Sequence, residues 1–251
     1  MIEFVLRLAD KVVAVQALFE STREYCKSYL FDGIADFSVT ITEEDIALER
    51  KKAAREDELE GLPIRDLSDQ MLERTAVQRK IVEKFFDHDI LLFHGSVIAV
   101  DGKAYLFTAK SGTGKSTHAR LWRELLGERA VMVNDDKPFL KVSSEGVVAY
   151  GSPWNGKHGL GNNVCVPLKS ICILERAKNN TIKSIPAKES VTMLWQQSAR
   201  PADPKKMLKY MQLLDTLASG VEFYRLSCNT DPEAARVSFG AMSGTSLEGD
   251  Q

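Results

Sequence analysis

The sequence has few of the residues that build metal clusters or disulfide frameworks. Among its 251 residues there are four cysteines and four histidines, and no two cysteines form a CxxC pair. A structural zinc site or a disulfide-rich fold is therefore not expected. We expect the four cysteines to be reduced side chains in the hydrophobic core, at Cys26, Cys165, Cys172 and Cys228.

Long apolar runs and a strong excess of one charge are also missing. No run approaches the roughly eighteen apolar residues that a membrane-spanning helix needs. Residues 1–15 carry acidic side chains within an apolar stretch and have no small-residue cleavage site, which argues against a signal peptide. The formal net charge is −2, so no general attraction to nucleic acid or to a membrane surface is expected. We predict a cytoplasmic protein without either partner.

The composition is that of a chain with a sizeable core, since 44% of its residues are hydrophobic. Residues 1–66 mix strand-like alternation with a highly charged stretch at 49–60, which predicts a solvated helix or loop. We expect this part to be a small N-terminal α/β region packed on the core. Residues 67–242 are expected to form the main domain, and the polar segment 243–251 a flexible tail.

The main domain begins with a helical pattern at 68–87 and continues with short strand-like runs. The Asp-Gly dipeptide at 101–102 is a strong turn signal between Ser96–Val100 and Lys103–Thr108, so these runs are predicted to form a hairpin. A second hairpin is expected within 139–150. Antiparallel hairpins argue against an all-parallel Rossmann sheet, and the sequence therefore predicts an α/β fold with a mixed sheet.

Residues 109–117, here called the glycine loop, read Ala-Lys-Ser-Gly-Thr-Gly-Lys-Ser-Thr. They follow a strand-like run at 104–107 and lead into Lys115–Leu126, where apolar residues recur at helical spacing. A strand, a glycine-rich loop and a helix in this order are the setting of a phosphate-binding loop, or P-loop, whose N–H groups bind an anion at the positive end of the helix. The predicted phosphate-binding residues are Ser111, Gly112, Thr113, Gly114, Lys115, Ser116 and Thr117.

Two side chains of the glycine loop have predicted roles. Lys115 would reach the β- and γ-phosphates of a nucleotide, and the Ser116 hydroxyl would ligate Mg²⁺. Ala109 departs from the usual pattern, which opens with glycine, but alanine is tolerated if this position has a negative φ. The alternative is a helix start that is merely rich in glycine, serine and threonine.

Two adjacent carboxylates follow the next predicted strand. Asp135 and Asp136 come directly after Ala130–Asn134, at the end of an open α/β sheet where ligands gather. Side chains of neighbouring residues in an extended backbone point in different directions, so one carboxylate can face a metal and the other a substrate. The alternative is a turn or cap after a strand. The upstream glycine loop favours a catalytic pair.

These segments resemble a known family. Phe-His-Gly at 93–95, Ser-Gly-Thr-Gly-Lys-Ser in the glycine loop and Val-Asn-Asp-Asp at 133–136 resemble the core of HPr kinase/phosphorylase. The Ser-Gly-Thr-Gly-Lys spelling is also similar to ATP-dependent phosphoenolpyruvate (PEP) carboxykinase, which shares this nucleotide-binding fold. The resemblance covers residues 90–140 well and the remaining chain loosely. It is closest to bacterial HPr-kinase-like proteins with Pro-Trp-x-Gly-Lys downstream, some of which phosphorylate serine on ribosomal peptides.

The resemblance implies an HPr kinase C-terminal domain/PEP carboxykinase-like fold, with ATP and Mg²⁺ as cofactors. It implies that Asp135 is the base that takes the proton from a substrate serine and that Asp136 lies at the metal. Lys115 and Ser116 match the phosphate lysine and the Mg²⁺ hydroxyl of the family, and His94 matches a histidine at its active site. A lone histidine after a strand is otherwise as often structural.

One stretch departs from the family. The HPr kinase signature has a Mg²⁺-binding glutamate in a Leu-Glu-x-Arg-Gly run, whereas residues 147–154 contain no acidic residue. This departure argues against HPr as the acceptor and against reversal of the reaction.

The glycine-rich segment 151–163 is the second unusual stretch. Trp154 offers an aromatic face, and Lys157 and His158 offer hydrogen-bond donors for a phosphate or carboxylate. We predict that Lys157 belongs to the catalytic residues and that this segment forms part of the acceptor pocket. The alternative is an ordinary surface loop with a packed tryptophan.

The function expected from the sequence is ATP-dependent, Mg²⁺-assisted phosphoryl transfer to a hydroxyl acceptor, for which serine of a peptide or protein is one candidate. Two alternatives stay open: a kinase for a small metabolite, and a nucleotide-binding regulatory module without turnover. A PEP carboxykinase needs a longer chain with additional metal and substrate residues. The sequence leaves the identity of the acceptor and the oligomeric state open.

Overall fold

The computed structural model describes residues 1–245. The chain divides into two compact units, Met1–Phe85 and the part from Phe86 onward. The second contains the glycine loop and the paired aspartates.

Within residues 1–85, three strands form one sheet in the order β1-β2-β3. β1 and β2 are antiparallel, and β2 and β3 are parallel. Alternate residues of the strands are fully buried, as expected for a sheet with one covered face. The elements are β1 (Ile2–Leu8), β2 (Lys11–Ala17), α1 (Glu20–Tyr25), β3 (Phe37–Thr40), α2 (Glu43–Glu60) and α3 (Asp69–Phe85).

The charged stretch at 49–60 lies in helix α2, which begins at a capping box. The Thr42 side chain accepts from the Asp45 N–H while the Asp45 carboxylate accepts from the Thr42 N–H, and Gly61 ends the helix in a left-handed conformation with φ of 68°. Arg79 of α3 pairs with both Asp45 and Glu49 of α2. The mainly polar α2 is thus fixed to its neighbour by ion pairs.

The boundary between the units lies at Phe85 and not at residue 66. Helix α3 packs on α2, β2 and β3, and its apolar face is buried there. Phe85 closes this packing by an edge-to-face contact with Phe37, whose ring centroid is 6.0 Å away. The helical pattern at 68–87 was predicted, but its tertiary partner was not.

A buried carboxylate of α3 organises the start of α1. The Glu73 side chain is fully buried and accepts hydrogen bonds from the backbone N–H groups of Leu18 and Phe19 and from the Thr22 hydroxyl. These donors precede or begin a helix, where N–H groups have no helical acceptor. Glu73 therefore acts as a cap supplied from a distant segment.

Within residues 86–245, nine strands form one mixed sheet, as the sequence predicted. Its main path is β4-β8-β9-β10-β6-β5-β7, and β12 pairs with β10 and β11. The strands are β4 (Ile90–Leu92), β5 (Ser96–Val100), β6 (Lys103–Thr108), β7 (Ala130–Asn134), β8 (Phe139–Ser143), β9 (Gly146–Tyr150), β10 (Cys165–Arg176), β11 (Thr181–Ile185) and β12 (Glu222–Cys228). The helices are α4 (Lys115–Leu126), α5 (Val191–Gln197), α6 (Met207–Gly220) and α7 (Glu233–Ser243).

Strand β10 changes partners along its length. Its first residues, from Cys165, pair antiparallel with β9, and from Leu168 onward it pairs parallel with β6. An irregularity between Leu168 and Ser170 marks the change, and from Ser170 it also pairs parallel with β12. One strand therefore joins the β8–β9 hairpin to the centre of the sheet.

The strand directions bring several chain ends to one edge of the sheet. β6 and β10 are parallel, and β5 is antiparallel to both β6 and β7. The carboxyl ends of β6, β7 and β10 therefore share an edge with the beginning of β5. This edge carries the glycine loop after β6 and the aspartate pair after β7.

Helix α4, which starts in the glycine loop, is held by an aromatic and polar cluster. Trp122 packs edge-to-face on Phe107 of β6 and on Phe239 of α7, with ring centroids 4.9 and 5.3 Å away. The Ser238 hydroxyl accepts from Trp122 Nε1 at 2.8 Å and lies 2.9 Å from His118 Nε2. Burial lowers the pKa of His118 to about 4, so this ring is neutral at pH 7.

The structure agrees with some expectations about single segments and differs from others. Cys26 and Cys172 are buried as expected, but Cys165 is exposed at the start of β10, so the core assignment was wrong for that residue. Helix α7 includes Ser243, the first residue of the expected tail, and positions 246–251 lie outside the described residues. None of the helices described within residues 1–245 combines the length and the apolar character needed to cross a membrane.

Candidate functional site

Three segments meet at the shared edge of the sheet: the glycine loop, the turn after β7, and the residues before β5. The Thr108 hydroxyl at the end of β6 donates to the His94 carbonyl at 3.0 Å. The Ser96 hydroxyl donates to the Asp135 carbonyl at 3.1 Å, and the Gly95 N–H donates to the Asp136 carbonyl at 3.0 Å. These bonds fix the three segments relative to one another.

The glycine loop has backbone conformations that require glycine. Gly112 has a φ of 73° and Gly114 a φ of 120°, values that residues with a side chain rarely adopt. Ala109 does not have a positive φ, which meets the condition under which alanine was expected to be tolerated. The first helical bond of α4 runs from the His118 N–H to the Gly114 carbonyl, so the N–H groups at 115–117 have no helical acceptor.

Lys115 is held inside this loop. Its side chain is buried, and Nζ donates to the Ala109 carbonyl at 3.2 Å. Burial lowers the pKa of the ammonium below its ordinary value, an effect that the carboxylate of Asp136 opposes and the charge of Lys137 reinforces. A buried cation with a main-chain partner next to unsatisfied N–H groups is suited to bind an anion.

Asp136 pairs with His94, the histidine that precedes β5. The distance between His94 Nε2 and Asp136 Oδ1 is 3.2 Å. Burial raises the pKa of Asp136, but the hydrogen bond with His94 and the charges of Lys137, His94 and Lys115 outweigh it, and the pKa lies below its ordinary value. Asp136 is therefore an ionised carboxylate at neutral pH.

Asp135 makes different contacts from its neighbour. It is buried, and its Oδ1 accepts the Gly156 N–H at 2.7 Å. A Cβ at position 156 would lie 3.0 Å from Asp135 Oδ2, so glycine allows the backbone to approach the carboxylate closely. The two aspartates contact different partners, and the backbone bends at both residues, whereas an extended backbone was predicted.

Asn134 explains this bend. Its Oδ1 accepts the N–H groups of Asp136 at 2.8 Å and Lys137 at 2.6 Å, which closes a tight turn. Its Nδ2 donates to the Ser152 carbonyl at 3.2 Å and to Asn155 Oδ1 at 3.0 Å. One buried amide therefore connects the aspartate turn to the 151–163 loop.

The 151–163 loop folds back along β7. The Asn162 N–H donates to the Val133 carbonyl at 3.1 Å, and its side chain to the Met132 carbonyl at 2.8 Å. Trp154 is buried and packs edge-to-face on Phe139 at a centroid distance of 6.0 Å. The tryptophan is thus a packed core residue and offers no free aromatic face. Lys157 is exposed, so its catalytic role stays a prediction.

A cavity of about 380 Å³ lies between α4 and this loop. Asp135 forms part of its wall, and Ser116 stands at the end that carries the glycine loop. The residues that line it are Ser116, Thr117, Arg120, Arg123, Met132, Asp135, His158 and Leu160. Among the described residues, Lys157 does not contribute to this lining. The cavity offers a space beside Asp135 for a second ligand.

Sequence reasoning missed several residues that complete this site. Arg176, at the end of β10, donates to the carbonyl groups of Gly112 and Thr113 and so fixes the glycine loop. Arg120 and Arg123 line the cavity, and Gly156 holds Asp135. Gly156 is the glycine of the Pro-Trp-x-Gly-Lys motif, but its contact with Asp135 was not predicted. The three arginines belong to no local motif, because each acquires its role through contacts with distant segments.

The donor set can be compared with the needs of Mg²⁺. Residues 1–245 contain no group of three His, Cys, Asp or Glu side chains that would hold a metal ion by themselves. Mg²⁺ at phosphate sites usually takes one or two carboxylates together with phosphates and water. The Ser116 hydroxyl and the ionised Asp136 are hard oxygen donors, and these residues fit such a shared site.

The chain can be compared with known proteins. One solved structure that it is similar to is the HPr(Ser) kinase/phosphatase from Coxiella burnetii, at 14% identity over 51% of this chain and 88% of that chain, with a TM-score of 0.29. The sequence matches no curated protein. A family model described as SynChlorMet cassette protein ScmC matches residues 63–228, a range that includes His94, the glycine loop, both aspartates and Arg176. Because this match covers about two thirds of the sequence, the chain belongs to the ScmC family.

Proposed function

We propose that the protein is an ATP-dependent kinase that transfers a phosphoryl group, with the help of Mg²⁺, to a hydroxyl group of an acceptor. The observation that supports this most is the convergence of three features at one edge of a mixed sheet. These are a glycine loop with Lys115 held inside it, the ionised Asp136 beside His94, and Asp135 in the wall of a cavity. Phosphoryl transfer needs these parts: a phosphate cradle, positive charge, metal ligands and a group that orients the nucleophile.

The glycine loop is proposed to bind the phosphates of ATP. The N–H groups at 115–117 have no helical acceptor and lie at the positive end of α4, which attracts an anion. Lys115 would leave the Ala109 carbonyl for a phosphate oxygen, exchanging a neutral acceptor for a charged one. Arg176 keeps the Gly112–Thr113 peptide in place through its carbonyl groups.

Ser116 and Asp136 are proposed to hold Mg²⁺. A bound Mg²⁺ supplies charge neutralisation for the phosphates during transfer. His94 acts on this site through Asp136, since its ring orients the carboxylate and helps to keep it ionised. We therefore assign His94 a positioning role.

Asp135 is proposed to be the general base. The acceptor oxygen forms a bond to the γ-phosphorus, the bond from that phosphorus to the bridging oxygen of ADP breaks, and the hydroxyl proton passes to the Asp135 carboxylate. The Gly156 N–H holds one oxygen of this carboxylate at 2.7 Å, which limits its freedom to rotate away from the cavity.

The identity of the acceptor rests on fewer observations than the proposed transfer from ATP. Serine of a peptide or protein remains our first candidate, because some of the HPr-kinase-like proteins that the sequence resembles phosphorylate serine on peptides. A small-metabolite kinase would use the same machinery. The cavity beside Asp135 favours either of these over a nucleotide-binding module without turnover. A kinase of this kind draws on intracellular ATP, and we propose a cytoplasmic location.

The test is phosphoryl transfer from radiolabelled ATP in the presence of Mg²⁺ to serine peptides and small hydroxyl compounds. Lys115→Ala is expected to abolish transfer while the thermal melting temperature stays near that of the wild type, because the one hydrogen bond lost, to the Ala109 carbonyl, is offset by removal of a buried charge. Arg236→Gln, a change of an exposed arginine on α7, is the control. Normal turnover in Lys115→Ala, or a wild-type protein that binds no ATP, would overturn the proposal.

A further inference from the structure

The cavity beside Asp135 carries positive charge that the transfer step does not use. We propose that the acceptor bears an anionic group, a carboxylate or phosphate, that Arg123 and Arg120 bind within this cavity. The inference rests on the proposed kinase function and names the class of acceptor for the same site. It assigns the recognition of the acceptor to helix α4.

Three lining residues form one stripe along α4. Ser116, Arg120 and Arg123 are spaced at i, i+4 and i+7, so they lie on the same face of the helix. At a rise of 1.5 Å per residue, Arg123 lies about 10 Å along the axis from Ser116. The glycine loop stands at the first end of this stripe and the arginines at the other. The cavity between α4 and the 151–163 loop thus has one end at the glycine loop and another end lined by arginines.

The two arginines differ in how much of their charge is compensated. Arg120 is exposed and pairs with Glu124 at 2.6 Å. Arg123 is half-buried, and no carboxylate within residues 1–245 forms an ion pair with it. A partly desolvated guanidinium without a counterion favours a ligand that supplies one, and its planar donors match a carboxylate or phosphate in a two-bond geometry.

The rest of the lining is compatible with such a ligand. Met132 and Leu160 contribute apolar surface, and Asp135 is the acidic residue among the eight that line the cavity. One Asp135 oxygen is engaged by the Gly156 N–H. When the hydroxyl of an acceptor lies at Asp135, its anionic group can therefore pair with Arg123 further along the helix.

The spacing limits the acceptor. An extended peptide spans about 3.3 Å per residue, so about three residues match the rise of about 10 Å along the helix axis between Ser116 and Arg123. For a peptide, we expect a serine with an aspartate or glutamate about three positions away. A free hydroxyl compound with a phosphate or carboxylate at the far end has the same chemistry, and the experiment distinguishes the two sources.

The experiment measures the binding of alanine-based peptides with a central serine and either aspartate or asparagine three residues before or after it. Mg²⁺ and a non-hydrolysable ATP analogue are present. The second arm compares the binding of glucose 6-phosphate with that of glucose, its neutral counterpart. We expect the anionic member of one pair to bind the wild type about tenfold more tightly, as for a charge-assisted hydrogen bond. Arg123→Gln should remove this preference, and Arg236→Gln, at an exposed arginine on α7, should retain it.

A preference seen only in the peptide arm identifies a peptide acceptor, and one seen only in the sugar arm identifies a small molecule; both support the anionic class. Equal binding of charged and neutral members by the wild type, no binding in either arm, or a preference that persists in Arg123→Gln would overturn the inference. Binding of the ATP analogue is measured separately in each variant. Its absence from the wild type would count against the kinase function itself, whereas normal analogue binding limits the failure to the acceptor.

Discussion

The carboxylate of Asp135 accepts the backbone N–H of Gly156, a residue 21 positions later, at 2.7 Å. The Asp135 side chain is buried, and a side chain at position 156 would crowd its second oxygen. The proposed base is thus aimed by a peptide group of the loop that also lines the cavity. This relationship makes the loop backbone part of the geometry of the proposed active site.

Gly156→Ala is expected to lower phosphoryl transfer about 10- to 100-fold, because a Cβ at this position displaces the base from its productive orientation. ATP affinity should stay near wild type, since the change is remote from the glycine loop contacts. Turnover and nucleotide binding are measured together. Gly240→Ala is the matched control, because a Cβ there meets no atom within 4 Å. Equal turnover in the two variants would contradict the positioning role.

Separate substitutions of the two aspartates should have different effects. Asp136→Ala is expected to weaken binding of the Mg²⁺–nucleotide complex, since it removes a charged ligand. Asp135→Asn should retain that binding and lose about 10²- to 10⁴-fold in turnover, because an amide cannot accept the proton of the acceptor. Titration calorimetry and turnover measurements distinguish them. Identical losses of nucleotide affinity would show that the division of roles is wrong.

Lys157→Ala tests the exposed lysine of the 151–163 loop against Arg123. If Lys157 contacts the acceptor or the transferred group, transfer falls while ATP affinity is unchanged. A raised acceptor KM with normal kcat indicates ground-state binding, and a lowered kcat indicates stabilisation of the transition state. Wild-type values of both constants would remove Lys157 from the site and leave Arg123 as the cation to examine.

Acid should destabilise the second unit through His118. The folded pKa is about 4 and the ordinary value is 6.5, so between these values the unfolded chain binds the additional proton and stability falls as the pH falls. This shift corresponds to about 3 kcal/mol lost between pH 6.5 and pH 4. Denaturant unfolding at several pH values checks this against His118→Gln. A variant with the same pH dependence as the wild type would exclude His118 as the cause.

Glu73→Ala is expected to lower the free energy of unfolding of the first unit by about 2–4 kcal/mol, because it leaves several buried donors without their acceptor. Glu58→Ala, on the exposed face of α2, should change it by less than about 0.5 kcal/mol. Urea denaturation followed by circular dichroism measures both. Similar stabilities of the two variants would mean that Glu73 is not the cap described above.

Local signals in the sequence were sufficient for much of the second unit. The β5–β6 hairpin and helix α4 have the predicted bounds, because an Asp-Gly turn and helical periodicity are contained within a few residues. Within strand β10, residues 170–174 form an apolar run that by itself indicates a strand. Its outer parts alternate less clearly and are stabilised by their partners β9 and β12.

The sequence identified the candidate residues in local motifs better than the residues that hold them in place. Lys115, Asp135 and Asp136 belong to recognisable motifs, and the structure brings their segments to one edge of the sheet. Arg176 lies 64 residues from its partner Gly112, and no local pattern predicts such a contact. Arg123 was counted only as a helical residue, because its exposure to the cavity depends on where the 151–163 loop folds.

Strand β10 limits how the glycine loop and the 151–163 loop can move relative to each other. At one end Arg176 holds the glycine loop, and at the other Cys165 pairs with Tyr150, where the 151–163 loop begins. The glycine loop and the start of the 151–163 loop are therefore attached to one continuous strand. A hinge between them would have to break the pairing of β10 with β6 or β9. We expect closure on a bound acceptor to come from residues 157–160, because Gly156 is held by Asp135 and strand β10 keeps the two loops at a fixed separation.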